Sequence, residues 1–160
     1  MNVTEICKEQ LFLSFQTIEN LIDITPENIW NKKSGGYIFW QQIVHCITGS
    51  LFWLRTEKKQ FQEPFSELHI YPELEKDPEH NLSKDQVKEL LDEARNLGNQ
   101  LFSILDDAKL TEMSFIYRKT TNLHVILGQL RHQQYHVGHC DSILRENGIM
   151  DLKWIDKIGG

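Results

Sequence analysis

No stretch of this sequence approaches the roughly 20 consecutive apolar residues that a bilayer-spanning helix needs, so no membrane partner is expected. Basic clusters are missing too. Among 17 Lys and Arg residues only Lys32–Lys33, Lys58–Lys59 and Arg118–Lys119 are adjacent, and the net charge is −6. Nucleic-acid binding needs concentrated positive charge, so a nucleic-acid partner is not expected either. Cysteine is scarce: Cys7, Cys46 and Cys140 are an odd number without a Cys-x-x-Cys pair, which points to reduced thiols in a cytoplasmic protein rather than a disulfide framework. The start, Met1-Asn2-Val3-Thr4-Glu5, carries no basic stretch ahead of an apolar run, so no signal peptide is expected there. Proline is rare as well, and Pro64, Pro72 and Pro78 all fall between residues 61 and 81. Nowhere is there a convincing period-two alternation of apolar and polar residues, so strands are not expected.

What the sequence does contain is helical periodicity. At 160 residues with 40% hydrophobic and 25% charged side chains, one soluble domain over 1–160 is the expectation. Val3, Cys7, Leu11, Phe15, Ile18 and Ile22 recur at spacings of three and four, predicting a first helix over 2–24. It ends at Thr25-Pro26, because the residue before proline is pushed out of the α region. A second, nearly all-round apolar helix is predicted over 38–59, after Ser34-Gly35-Gly36. Residues 61–81 then form a connection long by ordinary standards, which either covers a site or interface or simply crosses the bundle. Ser83 and Gln86 form a capping box ahead of a stripe from Val87 to Leu105. The fourth helix begins near Thr120–Asn122 and runs to a Gly148 stop. These signals predict an all-α four-helix bundle with its long connection between the second and third helices.

Within the fourth helix, Leu130-Arg131-His132-Gln133-Gln134-Tyr135-His136-Val137-Gly138-His139 is the most informative segment. His132 and His136 are separated by about 40° around the helix and about 6 Å along it, so both imidazoles can reach one ion. His45 lies in the apolar run Ile43-Val44-His45-Cys46-Ile47, where a polar side chain is costly without a partner. A metal would be such a partner; so would a backbone carbonyl or a water. Two histidines from one helix and one from another make a three-ligand metal site with open positions, the arrangement of catalytic rather than structural sites. Softness alone does not choose among zinc, nickel, copper and iron.

His139, three residues beyond His136, forms a competing pair with it, but lies about 10 Å along the axis from His132. It is expected near the mouth of the site, touching substrate or moving a proton. Cys140 is either a soft fourth ligand or a buried helix cysteine, the latter being the commoner role. His69, His80 and His124 lack partner spacing and read as loop or surface residues. Trp30, Trp40 and Trp53 read as core or interface anchors. Trp154 anchors either a partner chain or the protein's own bundle.

Two segments together carry a family resemblance. Trp40-Gln41-Gln42-Ile43-Val44-His45, with His132-x-x-x-His136-x-Gly138 followed by Ser142-Ile143-Leu144-Arg145-Glu146-Asn147-Gly148, resembles the DinB-like (damage-inducible) superfamily. That superfamily includes bacillithiol and mycothiol S-transferases and mycothiol-dependent isomerases, and the resemblance covers essentially the whole chain. It implies an up-down-down-up four-helix bundle, frequently homodimeric, with a nickel or zinc ion held by His45, His132 and His136. Many members carry glutamine where this chain has His139, which places an additional titratable group near the metal. The reaction implied is transfer of a low-molecular-weight thiol to a small electrophilic substrate, with His139 as a candidate catalytic group. A metal-dependent hydrolase and a non-catalytic metal- or small-molecule-binding bundle are the alternatives; a structural protein with three coincidental histidines would show no metal dependence at all.

Overall fold

The computed structural model describes residues 1–155. Helix α1 (Val3–Ile24) is followed by the single turn α2 (Glu27–Trp30), the strands β1 (Lys33–Ser34) and β2 (Tyr37–Ile38), and helix α3 (Phe39–Trp53). After a long connection come α4 (Lys84–Ile104), the single turn α5 (Asp107–Leu110) and α6 (Asn122–Glu146). Helix dominates, as the periodicity predicts. None of the helices among the described residues is long and apolar enough to cross a membrane.

The helix ends follow local chemistry. Asn2 accepts the Glu5 N–H at 2.8 Å while the Glu5 carboxylate accepts the Asn2 N–H at 2.9 Å, closing a capping box on α1. Ser83 and Gln86 do the same for α4. At the far end of α6, Gly148 adopts φ +80°. The Ile149 amide then reaches the Leu144 carbonyl at 2.9 Å and the Gly148 amide reaches that of Arg145 at 3.0 Å, the double bond of a Schellman ending.

Two expectations need correction. A strand pair does exist: Gly35 and Gly36 take φ +63° and +98°, making the two-residue turn that joins antiparallel β1 and β2. Strands of two residues are too short to display an alternation, so no pattern announces them. The second long helix also stops at Trp53 rather than near Lys59. Beyond Leu54 the chain offers only polar residues with no face to bury. Arg55 then takes over the carbonyls there, donating from Nε to Phe52 at 2.8 Å and from Nη1 to Lys59 at 2.9 Å.

The four long helices share one apolar cluster, which includes Leu11, Phe15, Trp40, Ile47, Leu91, Ala94, Ile126 and Leu144. Helices α1 and α3 each pack against both α4 and α6. Trp30 and Trp40 are fully buried core residues, and the Trp30 indole donates to the Leu82 carbonyl at 2.8 Å. The connection before α4 is pinned onto α3. Gln41, itself wholly buried, reaches the carbonyls of Ile70 and Tyr71 (3.0 Å each) and Lys76 (2.9 Å) with Nε2. Four non-glycine residues of this connection, Phe65, His69, Tyr71 and Leu74, sit in the left-handed region, a cost that such tertiary hydrogen bonds offset.

Candidate metal centre

Helix α3 contributes His45 and helix α6 contributes His132 and His136, one turn apart on a single face. Their rings form a nearly equilateral triangle, with centroids 4.9 Å (45–132), 4.7 Å (45–136) and 4.7 Å (132–136) apart. One ring nitrogen from each lies within 4.8 Å of the others, and Nε2 of His132 is 3.0 Å from Nε2 of His45. Two nitrogens bound tetrahedrally to zinc at about 2.05 Å are about 3.3 Å apart, so this last spacing already suits a shared ion.

The protonation states also suit ligation. Nδ1 of His45 lies 2.7 Å from the Pro72 carbonyl. A carbonyl only accepts, so Nδ1 carries the proton and the Nε2 lone pair faces the other two histidines. A backbone oxygen on the outer nitrogen is the usual way a ligating imidazole is oriented. Burial, with the charges of His45 and then His132 and His139 adding to it, pushes His136 down to about 3. Burial and His45 lower His132 in the same direction. Neutral imidazole is the ligand form. Nδ1 of His132 and Nδ1 of His136 are buried without a hydrogen-bond partner among the described residues, so neither ring has an outer contact like the one that orients His45. Two histidines held towards the neutral form by burial, beside a His45 whose Nδ1 is turned outward to Pro72, fit a divalent ion.

Gly49, one turn after His45, makes the close approach possible. A Cβ there would stand 2.9 Å from Cε1 and 3.0 Å from Nδ1 of His132. Thr48 and Gln129, three residues after His45 and three before His132, lie on the ligand faces of their helices. A cleft of about 490 Å³ opens beside His45 and His132, and Thr48, Trp53, Gln129 and the carboxylates of Glu63 and Glu73 line it. The long connection contributes Glu63 and Glu73 to this cleft and the Pro72 carbonyl to His45. Pro72, Gly49, Thr48 and Gln129 were not singled out by the histidine spacing. A lone glycine and isolated polar residues in line with the ligands were the available signals, whereas a carbonyl has none.

The remaining candidates fall elsewhere. His139 is half-buried, and its ring packs against the β1–β2 turn, where a Gly35 Cβ would come within 2.2 Å of its Nε2. It is outside the three-histidine group. Cys140 faces the core with Cys46, Ile43 and Val137, and burial pushes its thiol up to about 12, so it is the buried helix cysteine of the two readings. His69, His80 and His124 are exposed and bonded locally, to Glu79, the Leu68 carbonyl and Thr121. Trp53 is half-buried in the cleft wall rather than in the core.

The chain matches no family model, no curated protein and no solved structure.

Proposed function

We propose that this protein is a DinB-like metal-binding bundle that joins a low-molecular-weight thiol to an electrophilic substrate. The observation that carries the metal reading is the triangle of His45, His132 and His136, with the His45 tautomer set by the Pro72 carbonyl. Zinc or nickel is the expected ion. The thiol-transfer reading comes from the resemblance, and the open cleft beside the histidines supports it, because a transferase must admit two small molecules next to the ion.

An up-down-down-up order of the four long helices belongs to the same reading and is supported by side-chain pairings. Asp107 meets Thr4, and Arg95 meets Glu19, as α4 would running back along α1. Gln133 meets Ser50 while His136 meets His45, the reversed order of antiparallel α3 and α6. Ser14 meets Gln134, and Ile18 and Leu21 lie with Val137 and Cys140, the order of a parallel pair. Parallel α3 and α4 require a connection long enough to return along the bundle, which the segment from 54 to 83 supplies.

A divalent ion bound here would favour the thiolate form of the thiol cosubstrate. The chain's own residues do the rest. His45, His132 and His136 would hold the ion through imidazole nitrogens, and burial keeps His132 and His136 towards the neutral form that ligates. Thr48 and Gln129 offer polar side chains to the bound molecules, and the connection adds Glu63 and Glu73 to the cleft wall. The thiol's proton passes to solvent at the open cleft, the sulfur forms the new bond to the electrophilic carbon, and the leaving group departs with the electrons of the broken bond. The homodimer and the cytoplasmic setting also belong to this proposal; three free, buried cysteines support a reducing compartment.

The test is conjugation of small thiols (cysteine, glutathione) to monochlorobimane by protein loaded with zinc or nickel. Turnover above the uncatalysed rate, abolished by EDTA and by His136→Ala, is expected. Turnover indifferent to EDTA would contradict the proposal. Thiol-independent hydrolysis of p-nitrophenyl acetate by the loaded protein would replace transferase with hydrolase.

A further inference from the structure

The cleft beside the histidines has a chemical character that the metal site alone does not require. Thr48 and Gln129 are 2% and 6% exposed, yet Oγ1 of Thr48 and Oε1 of Gln129 have no hydrogen-bond partner. Buried polar atoms are nearly always satisfied, so two orphans lining one cleft mark where a ligand's polar group is missing. At its exposed side stand Glu63 and Glu73. Neither pairs with a lysine, arginine or histidine among the described residues, and no lysine or arginine lines the cleft.

The wall between floor and rim is aromatic. Trp53 is held edge-on by Phe52 (5.1 Å, 79°) and by Tyr117 (6.0 Å, 88°). The guanidinium of Arg55 lies over Phe52 and Phe61, at 4.5 and 4.9 Å. It is anchored on two backbone carbonyls and lines the neighbouring cleft. Among the described residues no cation lies over Trp53, which is half-buried in the cleft wall, and indole is the aromatic surface that attracts cations best. Carboxylates, an amide oxygen and an indole face all favour a positively charged N–H donor and disfavour an anion.

We propose that this cleft binds a small organic ammonium compound with an apolar or aromatic body, the charge between Glu63, Glu73 and Trp53 and the other end toward the histidines. The inference rests on the metal reading only in treating this compound as a substrate, and names the substrate class for that site. Its volume of about 490 Å³ is within the ordinary range for small-molecule sites.

The test is calorimetric titration with three probes of one shape: 2-phenylethylammonium, 2-phenylethanol and 3-phenylpropionate. Each is run on chelator-treated and on zinc-incubated protein. One saturable site is expected, binding the ammonium about fivefold or more tighter than the alcohol, a preference two exposed charge pairs and one cation–π contact can supply. The carboxylate should bind weakest. Glu63→Gln with Glu73→Gln, both exposed, should leave thermal stability unchanged and bring the ammonium within twofold of the alcohol; Trp53→Ala should weaken both. Equal binding of ammonium and alcohol, tighter binding of the carboxylate, no binding of any probe, or a preference surviving in the double variant would each overturn the proposal. Zinc content measured on the same samples separates the two readings. Ammonium preference without zinc uptake removes the metal site alone, and zinc uptake without ammonium preference removes this inference alone.

Discussion

Replacing Gly49 with alanine should separate the stability of this protein from its metal affinity. Gly49 lies inside α3 with ordinary helical backbone, so alanine removes the glycine penalty and favours the helix by up to about 1 kcal/mol. The new Cβ would lie 2.9 Å from Cε1 and 3.0 Å from Nδ1 of His132, and 3.4 Å from Oε1 of Gln129. Ordinary carbon contacts need about 3.5–4.0 Å, so the ring must retreat by roughly 0.5–1 Å. That movement is cheap for folding, because the clash falls on the end of a side chain. It is expensive for ligation, which tolerates about 0.2 Å in ligand distance. Losing the geometry of one of three ligands should cost about 10- to 100-fold in zinc affinity, the range seen when a ligand's support is removed. Thermal melts in EDTA should place Gly49→Ala within about 1 kcal/mol of the parent. Competition against a chromophoric zinc chelator should show the affinity loss. A variant with parental affinity would refute the argument that Gly49 is there to admit His132.

Three further outcomes follow from the same geometry. In metal-free protein His136 is held at about 3 while the unfolded chain titrates near 6.5; the unfolded state therefore binds more protons between those values. Stability should fall by about 1.4 kcal/mol per pH unit as pH drops below about 6.5, measured by urea unfolding with EDTA present, and a flat profile from pH 6.5 to 5 would contradict it. Burial raises the thiols of Cys46 and Cys140, so a disulfide-exchange reagent should label neither in the native protein on the timescale that suffices in urea; native labelling within tenfold of the unfolded rate would be the contrary result. His139→Ala should keep full zinc content and parental conjugation, because His139 stands outside the three-histidine group and does not line the cleft; loss of zinc would make it a ligand.

Helix positions and the histidine cluster were largely legible because both depend on spacing. Cys7, Leu11, Phe15 and Ile18 fall on one face of α1 and are buried, and His132 and His136 meet because four residues make one turn. From the residues themselves, His45 was legible as a polar side chain out of place in an apolar helix; the resemblance put it with His132 and His136. The cleft was not legible. Glu63 and Glu73 come from a connection without periodicity, and the partner that orients His45 is a backbone carbonyl, which any residue at position 72 would supply. The early end of α3 and the two-residue strands were missed for a related reason: each is decided by individual hydrogen bonds and by paired positive φ angles rather than by a repeating pattern.

The most direct measurement is the metal content of the freshly purified protein by elemental mass spectrometry, beside His45→Ala and His132→Ala. The account predicts near-stoichiometric zinc or nickel in the parent and its loss in both variants, with helical content retained. No metal in the parent, even after incubation with zinc or nickel, would contradict the central claim and leave three packed histidines without an ion to hold.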